Sequence, residues 1–141
     1  MSVRKARASW APSEQGGGGT IRTESGALAA EYSRGSRFAA DPGTNPEELL
    51  GAAHAACFNL ALAGALNGAG HPPVRLETAA EVTLEKLTEG FRITAVNLVT
   101  AAEVPGISDE VFQEHAHLTK LSCPVSKALA GTDIFLEAKL V

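Results

Sequence analysis

Two cysteines are the residues of this chain best suited to redox chemistry. Cys57 and Cys123 stand 66 positions apart in a chain of 141 residues. The thiolate is the reactive form of cysteine, so each site is judged by what would stabilise a negative charge there. In a reducing compartment such a pair is catalytic, redox-sensing or simply buried more often than it is a structural disulfide.

The surroundings of the two thiols differ. Pro124 suits the first position of a helix, which places Cys123 at the N-cap, where backbone amides favour a thiolate. Cys57 lies in the middle of a predicted helix and needs a nearby cation instead. Arg37 and Arg34, upstream of that helix, are the natural suppliers, because a guanidinium stays charged at any relevant pH.

A carboxylate could hold such an arginine in place. Glu47, in the first turn of the predicted helix, is the candidate. Each of these residues also has a plainer interpretation. Cys57 could be inert core packing, Glu47 could only complement the helix dipole, and the two arginines could be solvated loop charges.

A metal site would compete for the same atoms. His54 and Cys57 stand three apart on one helix, and His115, His117 and Cys123 follow later. Zinc needs four convergent ligands, and no Cys-x-x-Cys or His-x-x-x-His pair anchors such a site. We therefore predict no metal, and we interpret His54 as a core or interface histidine.

The segment that carries Cys57, residues 45–67, is predicted to be a helix. It has Pro46 and Glu47 at its start and is rich in Ala and Leu. One stripe at helical spacing contains Leu49, Ala53, Ala56, Leu60 and Ala63, but the other faces are nearly as apolar. A helix that is apolar all round is buried. A membrane span is the alternative by length, but the segment contains His54 and Asn59 and lacks aromatic or basic anchors.

The rest of the chain contains segments in which apolar and polar residues alternate, as in strands, together with further helices. This pattern predicts an α+β domain covering residues 1–141. A glycine run at 16–19 is interpreted as a hairpin turn, residues 33–44 are predicted to be irregular, and a short helix is expected after Cys123. The predicted strands are 3–10, 20–23, 27–32, 74–87, 91–103 and 132–141, and a second helix is predicted at 109–121.

Composition narrows the class of protein. Hydrophobic residues make up 45% of the chain, charged residues 20%, and the net charge is −4. Such a chain folds, and it presents no basic patch for nucleic acid. The N-terminal residues carry charge with no apolar run behind them, so we expect no signal peptide and a cytoplasmic protein.

Two segments carry a resemblance to a known family. Residues 44–58, TNPEELLGAAHAACF, and residues 123–129, CPVSKAL, resemble the OsmC (osmotically inducible protein C) family of thiol peroxidases, which are relatives of the organic hydroperoxide resistance proteins. The resemblance runs nearly end to end. It implies two β-sheets with a buried central helix, completed by an intertwined homodimer with active sites at the interface.

The family also implies an activity. It is the reduction of organic hydroperoxides and hydrogen peroxide, in defence against oxidative and osmotic stress, without a cofactor. By motif, Cys57 is the peroxidatic cysteine and Cys123 the resolving cysteine. The disulfide between them is reduced by an external dithiol, for which the family suggests a lipoyl-bearing protein.

The family resemblance also assigns the remaining site residues. Arg37 matches the active-site arginine through Ser36-Arg37-Phe38, with Arg34 as the alternative, and Glu47 orients it. Apolar neighbours would shape a pocket for an organic tail: Phe38, Phe58 and Val125. The alternative functions are a non-catalytic thiol sensor or small-molecule binding protein, and a structural scaffold with a buried cysteine pair.

Overall fold

The computed structural model describes the whole chain, Met1–Val141, and has the predicted α+β composition. The backbone divides into two compact units, Met1–Leu49 and Leu50–Val141, while the expectation of one domain stays a prediction. In chain order the elements are β1 (Ala6–Ala8), β2 (Gly18–Thr23), β3 (Ala29–Ser33), α1 (Arg34–Phe38), α2 (Pro46–Gly68), β4 (Arg75–Leu87), β5 (Gly90–Glu103), α3 (Asp109–Ser122), α4 (Pro124–Ala128) and β6 (Asp133–Leu140).

The first unit contains an antiparallel sheet in the order β1-β2-β3. The predicted glycine turn at 16–19 is present only at Gly16 and Gly17, which have the positive φ that other residues rarely adopt, whereas Gly18 and Gly19 belong to β2. The first strand was predicted too long. Only three residues pair regularly, although Ser9 continues the backbone pairing toward β2 by one hydrogen bond and Ala11 by two.

The segment predicted to be irregular contains α1. Ser33 and Ser36 form a capping box, in which each side chain accepts from the backbone amide of the other. Gly35 is packed against Asp41, where a Cβ atom would collide with the carboxylate. One turn of helix is therefore held by two serines and a close approach, without the apolar periodicity that would have predicted it.

The second unit contains a sheet in the order β4-β5-β6. The long hairpin of β4 and β5 is antiparallel, whereas β6 pairs with β5 in parallel after a connection through α3 and α4. The predicted wet face of β4 is confirmed, because Arg75, Glu77, Glu81 and Glu85 are exposed. The opposite face of the sheet packs on helices in a core of Phe58, Leu62, Leu66, Val96, Leu98, Ala102, Val104, Phe112 and Ala116.

Helix α2 departs from the prediction that it is buried on every side. Its buried face carries His54, Phe58, Leu62 and Leu66, at a spacing of four residues. The stripe chosen from the sequence lies largely on the other face. Ala53, Ala56 and Leu60 are exposed there, and Leu60 is 78% exposed. The chain thus covers one apolar face of α2 and leaves a second apolar face open.

The same helix is long and apolar enough to cross a membrane by length and composition. Core helices of soluble proteins pass that test as well. Within the chain 28% of that apolar stretch is buried, and Phe58, Leu62 and Leu66 pack in the core.

Candidate active site

The two cysteine side chains meet in the second unit. The Sγ atoms of Cys57 and Cys123 are 3.1 Å apart, and both thiols are free. Cys57 is half-buried in the middle of α2, and Cys123 has no exposed surface. Two thiols at hydrogen-bond distance can be converted into a disulfide by a small movement, so the pair is arranged for reversible oxidation.

Cys123 stands at the junction of two helices. It is the C-cap of α3 and the N-cap of α4, with Pro124 at the first helical position as the sequence predicts. Its side chain makes no regular capping hydrogen bond, yet the amides of Ser126 and Val125 face the sulfur closely enough to favour its charged form. The amide of Val125 also faces the sulfur of Cys57.

Protonation differs between the two thiols. Burial raises the pKa of Cys57, and the hydrogen bond with Cys123 raises it further against the effect of the Val125 amide. Burial also opposes ionisation of Cys123, but hydrogen bonds from Ser126, Cys57 and Val125 outweigh it, so the pKa of Cys123 is lowered. Within the reduced pair the surroundings therefore favour the charged form of Cys123 over that of Cys57. A Cys57 thiolate near neutral pH therefore requires a further stabilising group.

A buried histidine lies beside the pair. His54 Nε2 is 2.8 Å from Ser126 Oγ, and His54 has no exposed surface. Its Nδ1 atom is buried without a partner. Burial lowers the pKa of His54, so the imidazole is neutral near pH 7.

The first unit contains the predicted ion pair. Arg37 Nη2 and Nε both donate to the carboxylate of Glu47, with Nη2 2.6 Å from Oε1 and Nε 3.1 Å from Oε2. The carboxylate is 11% exposed and the arginine side chain 34% exposed. This is a two-pronged guanidinium–carboxylate contact, which fixes the orientation of the arginine as well as its position. Arg34 makes no ion pair with Glu47.

Local hydrogen bonds explain why α1 lies next to the start of α2. Ser36 Oγ donates to the carbonyl of Thr44, and Asn45 Nδ2 donates to the carbonyl of Ser36. Asn45 also caps α2, because its Oδ1 accepts from the amide of Glu48. These contacts hold the connecting loop against α1 and bring Glu47 within reach of Arg37.

A cavity of about 270 Å³ adjoins this ion pair within the first unit. Phe38 lies at its edge, 43% exposed, and the guanidinium carbons of Arg34 and Arg37 are each 5.3 Å from the centre of its ring. Its lining consists of Trp10, Gly16, Gly17, Tyr32, Ser33, Arg34, Arg37, Phe38 and Pro46. The cavity combines apolar walls with cationic groups, which suits a molecule with an organic tail and a polar head.

The other predicted pocket residues lie in the second unit. Phe58 is fully buried in the core, and Val125 is half-buried beside the thiols. Their predicted contact with a substrate stays a prediction. The structure brings no three His, Cys, Asp or Glu side chains together in a group that could hold a metal ion.

Sequence reasoning missed three contributors to these sites. Ser126 follows Cys123 by three residues, the spacing at which the third residue of a helix faces its N-cap, and this signal was available. Trp10, from the segment between β1 and β2, and Tyr32, from β3, line the cavity beside Arg37, and no local sequence pattern predicts that Trp10 lies there.

The chain is similar to known proteins in sequence and in fold. The family model described as OsmC-like protein matches residues 39–137. The chain is 44% identical over 138 residues to "Peroxiredoxin OsmC" of Escherichia coli (strain K12), covering 97% of this chain and 96% of that protein. It is 36% identical over 90 residues to "Organic hydroperoxide resistance protein-like 2" of Staphylococcus epidermidis, covering 62% of this chain and 61% of that protein. The crystal structure of the organic hydroperoxide resistance protein OhrB of Bacillus subtilis is similar with a TM-score of 0.79, at 30% identity and 98% coverage of both chains.

Proposed function

The chain belongs to the OsmC-like protein family, and from this membership we propose that it is a cysteine peroxidase that reduces organic hydroperoxides and hydrogen peroxide. The observation that carries the proposal is the contact of 3.1 Å between the Sγ atoms of Cys57 and Cys123. A peroxidase of this kind serves defence against oxidative stress in the cytoplasm, where thiols are kept reduced.

The first step is a displacement at the peroxide. The thiolate of Cys57 attacks one oxygen of the O–O bond, the bond breaks, and the second oxygen leaves with a proton as alcohol or water. Sulfur is oxidised to a sulfenic acid and the peroxide is reduced, with two electrons transferred. No prosthetic group is needed, because the thiol itself carries the electrons.

The second step closes the disulfide. The sulfur of Cys123 attacks the sulfenic sulfur of Cys57, the S–O bond breaks, and the oxygen leaves as water after taking a proton. An external dithiol then reduces the disulfide by thiol exchange, which restores both free thiols. We propose a lipoyl-bearing protein as that dithiol, as the family suggests.

The ion pair of Arg37 and Glu47 supplies the positive charge in this mechanism. We assign Arg37 the role of lowering the pKa of the Cys57 thiol and stabilising the charge that develops on the peroxide oxygens. Its contact with Glu47 supports Arg37 over Arg34, because only Arg37 is held by the carboxylate. Phe38, at the edge of the cavity beside Arg37, is assigned to the organic tail, and so are Phe58 and Val125 by family resemblance.

We further propose that the chain works as an intertwined homodimer. The exposed apolar face of α2 supports it, because Leu60, Ala53 and Ala56 present uncharged surface that a second copy would cover. Sedimentation at micromolar concentration should give about twice the chain mass of 14.6 kDa. Leu60→Lys should shift the protein toward a monomer, whereas Thr88→Lys, at an exposed turn, should not. A monomeric wild type with full activity would contradict the dimer.

A steady-state assay tests the activity. Cumene hydroperoxide and hydrogen peroxide should be compared as substrates, with dihydrolipoamide and thioredoxin as alternative dithiols. We expect many turnovers per subunit, faster consumption of the organic peroxide, and faster reduction by dihydrolipoamide. The same thiol pair would also suit a sensor or binding protein that uses the disulfide as a switch. Such a protein would consume about one equivalent of peroxide per subunit and stop.

A further inference from the structure

One buried contact beside the thiols has no part in the proposed mechanism. His54 in α2 and Ser126 in α4 are both buried, at 0% and 5% exposure, and are joined by the distance of 2.8 Å between Nε2 and Oγ. Ser126 stands three residues after Cys123 in the first turn of α4, where its hydroxyl and its amide both favour the charged form of Cys123 and lower its pKa. Two contacts therefore link α2 to the start of α4: His54 with Ser126, and Cys57 with Cys123.

His54 Nδ1 has no hydrogen-bond partner, and this indicates which group donates in the contact of His54 with Ser126. A proton on Nδ1 would be a buried N–H donor with no acceptor, which folded proteins avoid more strictly than an unused acceptor. With the proton of the neutral ring on Nε2, donated to Ser126 Oγ, no such buried donor remains. The Ser126 hydroxyl then keeps its own proton to donate, and with the Cys57 thiol it is one of two side-chain donors that favour the charged form of Cys123.

We propose that His54 is a positioning residue for disulfide closure, orienting the Ser126 hydroxyl toward Cys123 Sγ and so holding Cys123 ready to attack the oxidised Cys57. The claim that His54 assists disulfide closure rests on the proposed function. The claim that it orients the Ser126 hydroxyl rests on the contacts alone. His54 acts through Ser126 and does not touch the reacting sulfurs.

This role differs from proton transfer. Burial disfavours the imidazolium, so His54 is a poor proton acceptor and a steady donor near neutral pH. During closure the sulfur of Cys123 forms the S–S bond, hydroxide leaves Cys57 and takes a proton from solvent, and the hydroxyl of Ser126 loses its charged acceptor. His54 carries the same proton before and after the step.

The structural part is tested on Cys123 alone. In a Cys57→Ser background, the thiolate absorbance near 240 nm is titrated for three further changes: His54→Phe, Ser126→Ala and Thr78→Val. The last is the matched control, because Thr78 Oγ1 also bonds a residue of α2, Asn59 at 2.6 Å, with no link to the cysteines. His54→Phe and Ser126→Ala should each raise the pKa of Cys123 by about one pH unit, the effect of losing one hydrogen bond to a charged group, and Thr78→Val should leave it unchanged.

The kinetic part uses the chain with both cysteines. After rapid mixing with one equivalent of cumene hydroperoxide, His54→Phe and Ser126→Ala should consume peroxide at the wild-type rate. They should form the disulfide up to tenfold more slowly, with a longer-lived sulfenic acid that dimedone traps. The double variant should be no slower than either single variant, because both changes remove the same hydrogen bond to sulfur.

The outcomes separate the two claims. An unchanged pKa of Cys123 in His54→Phe or in Ser126→Ala, or an equal change in Thr78→Val, overturns the inference. Ser126→Ala removes one oxygen atom only, so an unchanged pKa there overturns the inference even where His54→Phe does not fold. If the wild type consumes no peroxide, the proposed function fails, while the titration still decides whether His54 and Ser126 set the charge of Cys123.

Discussion

Cys57→Ser should abolish peroxide turnover, with no residual activity above the uncatalysed reaction. A serine hydroxyl is not ionised near neutral pH and cannot act as the nucleophile. Cys123 cannot take over that role, because it is the buried member of the pair. The measurement is consumption of cumene hydroperoxide with dihydrolipoamide as the electron donor.

Cys123→Ser provides the matched comparison. This variant should consume about one equivalent of peroxide per subunit and then stall, leaving a sulfenic acid on Cys57 that dimedone labels and mass spectrometry counts. The two variants differ in which of two sulfurs 3.1 Å apart is lost. Equal residual turnover in both would remove the assignment of peroxidatic and resolving roles.

Arg37→Ala should slow the oxidation of Cys57 by on the order of 10²-fold, the loss expected when one preorganised donor is removed. The reason is the raised pKa of the Cys57 thiol, which burial produces and which a cation must offset for reaction near neutral pH. In a Cys123→Ser background, alkylation by iodoacetamide as a function of pH should show a still higher pKa for Cys57. Arg37→Lys keeps the charge but not the two-pronged contact, so it should lose less.

Arg34→Ala is the control for this prediction. Both guanidinium carbons lie 5.3 Å from the centre of the Phe38 ring, so both substitutions remove one such contact, and only Arg37→Ala also breaks the pair with Glu47. Glu47→Gln should cost less than Arg37→Ala, because it loosens the arginine without removing the charge. A loss of rate in Arg34→Ala with Arg37→Ala unaffected would transfer the role to Arg34. If neither variant is slower, another group stabilises the thiolate.

The sheets could be predicted from the sequence because alternation is a local signal. Arg75, Glu77 and Glu81 alternate with apolar residues along β4, and the structure exposes the charged set as predicted. Helix α1 could not be predicted in the same way, because its stability depends on the Ser33–Ser36 capping box and on a close contact of Gly35. Its five residues carry no period to detect.

The orientation of α2 could not be predicted either, because Ala and Leu are spread over all its faces. Only the fold decides that Phe58 and Leu62 face the core while Leu60 faces outward. In the candidate site, too, some contacts could be predicted from local sequence and others depend on the fold. A pairing of Glu47 with Arg34 or Arg37 was anticipated from residue types and the helix start, and the family resemblance favoured Arg37. The contact of His54 with Ser126, by contrast, requires α4 to dock on α2, 72 positions away in the chain.

The separation of the two cysteines along the chain also affects stability. A bond between sulfurs that lie 66 positions apart would close a long loop in the unfolded chain and remove much of its freedom. In the chain-entropy model a loop of this length is worth roughly 4 kcal/mol. A peroxidase working through this bond would therefore alternate, once per cycle, between a robust oxidised form and a more fragile reduced one. The oxidised form, which awaits its reductant, would resist heat and proteolysis best. The supply of reductant would therefore also affect the lifetime of the protein.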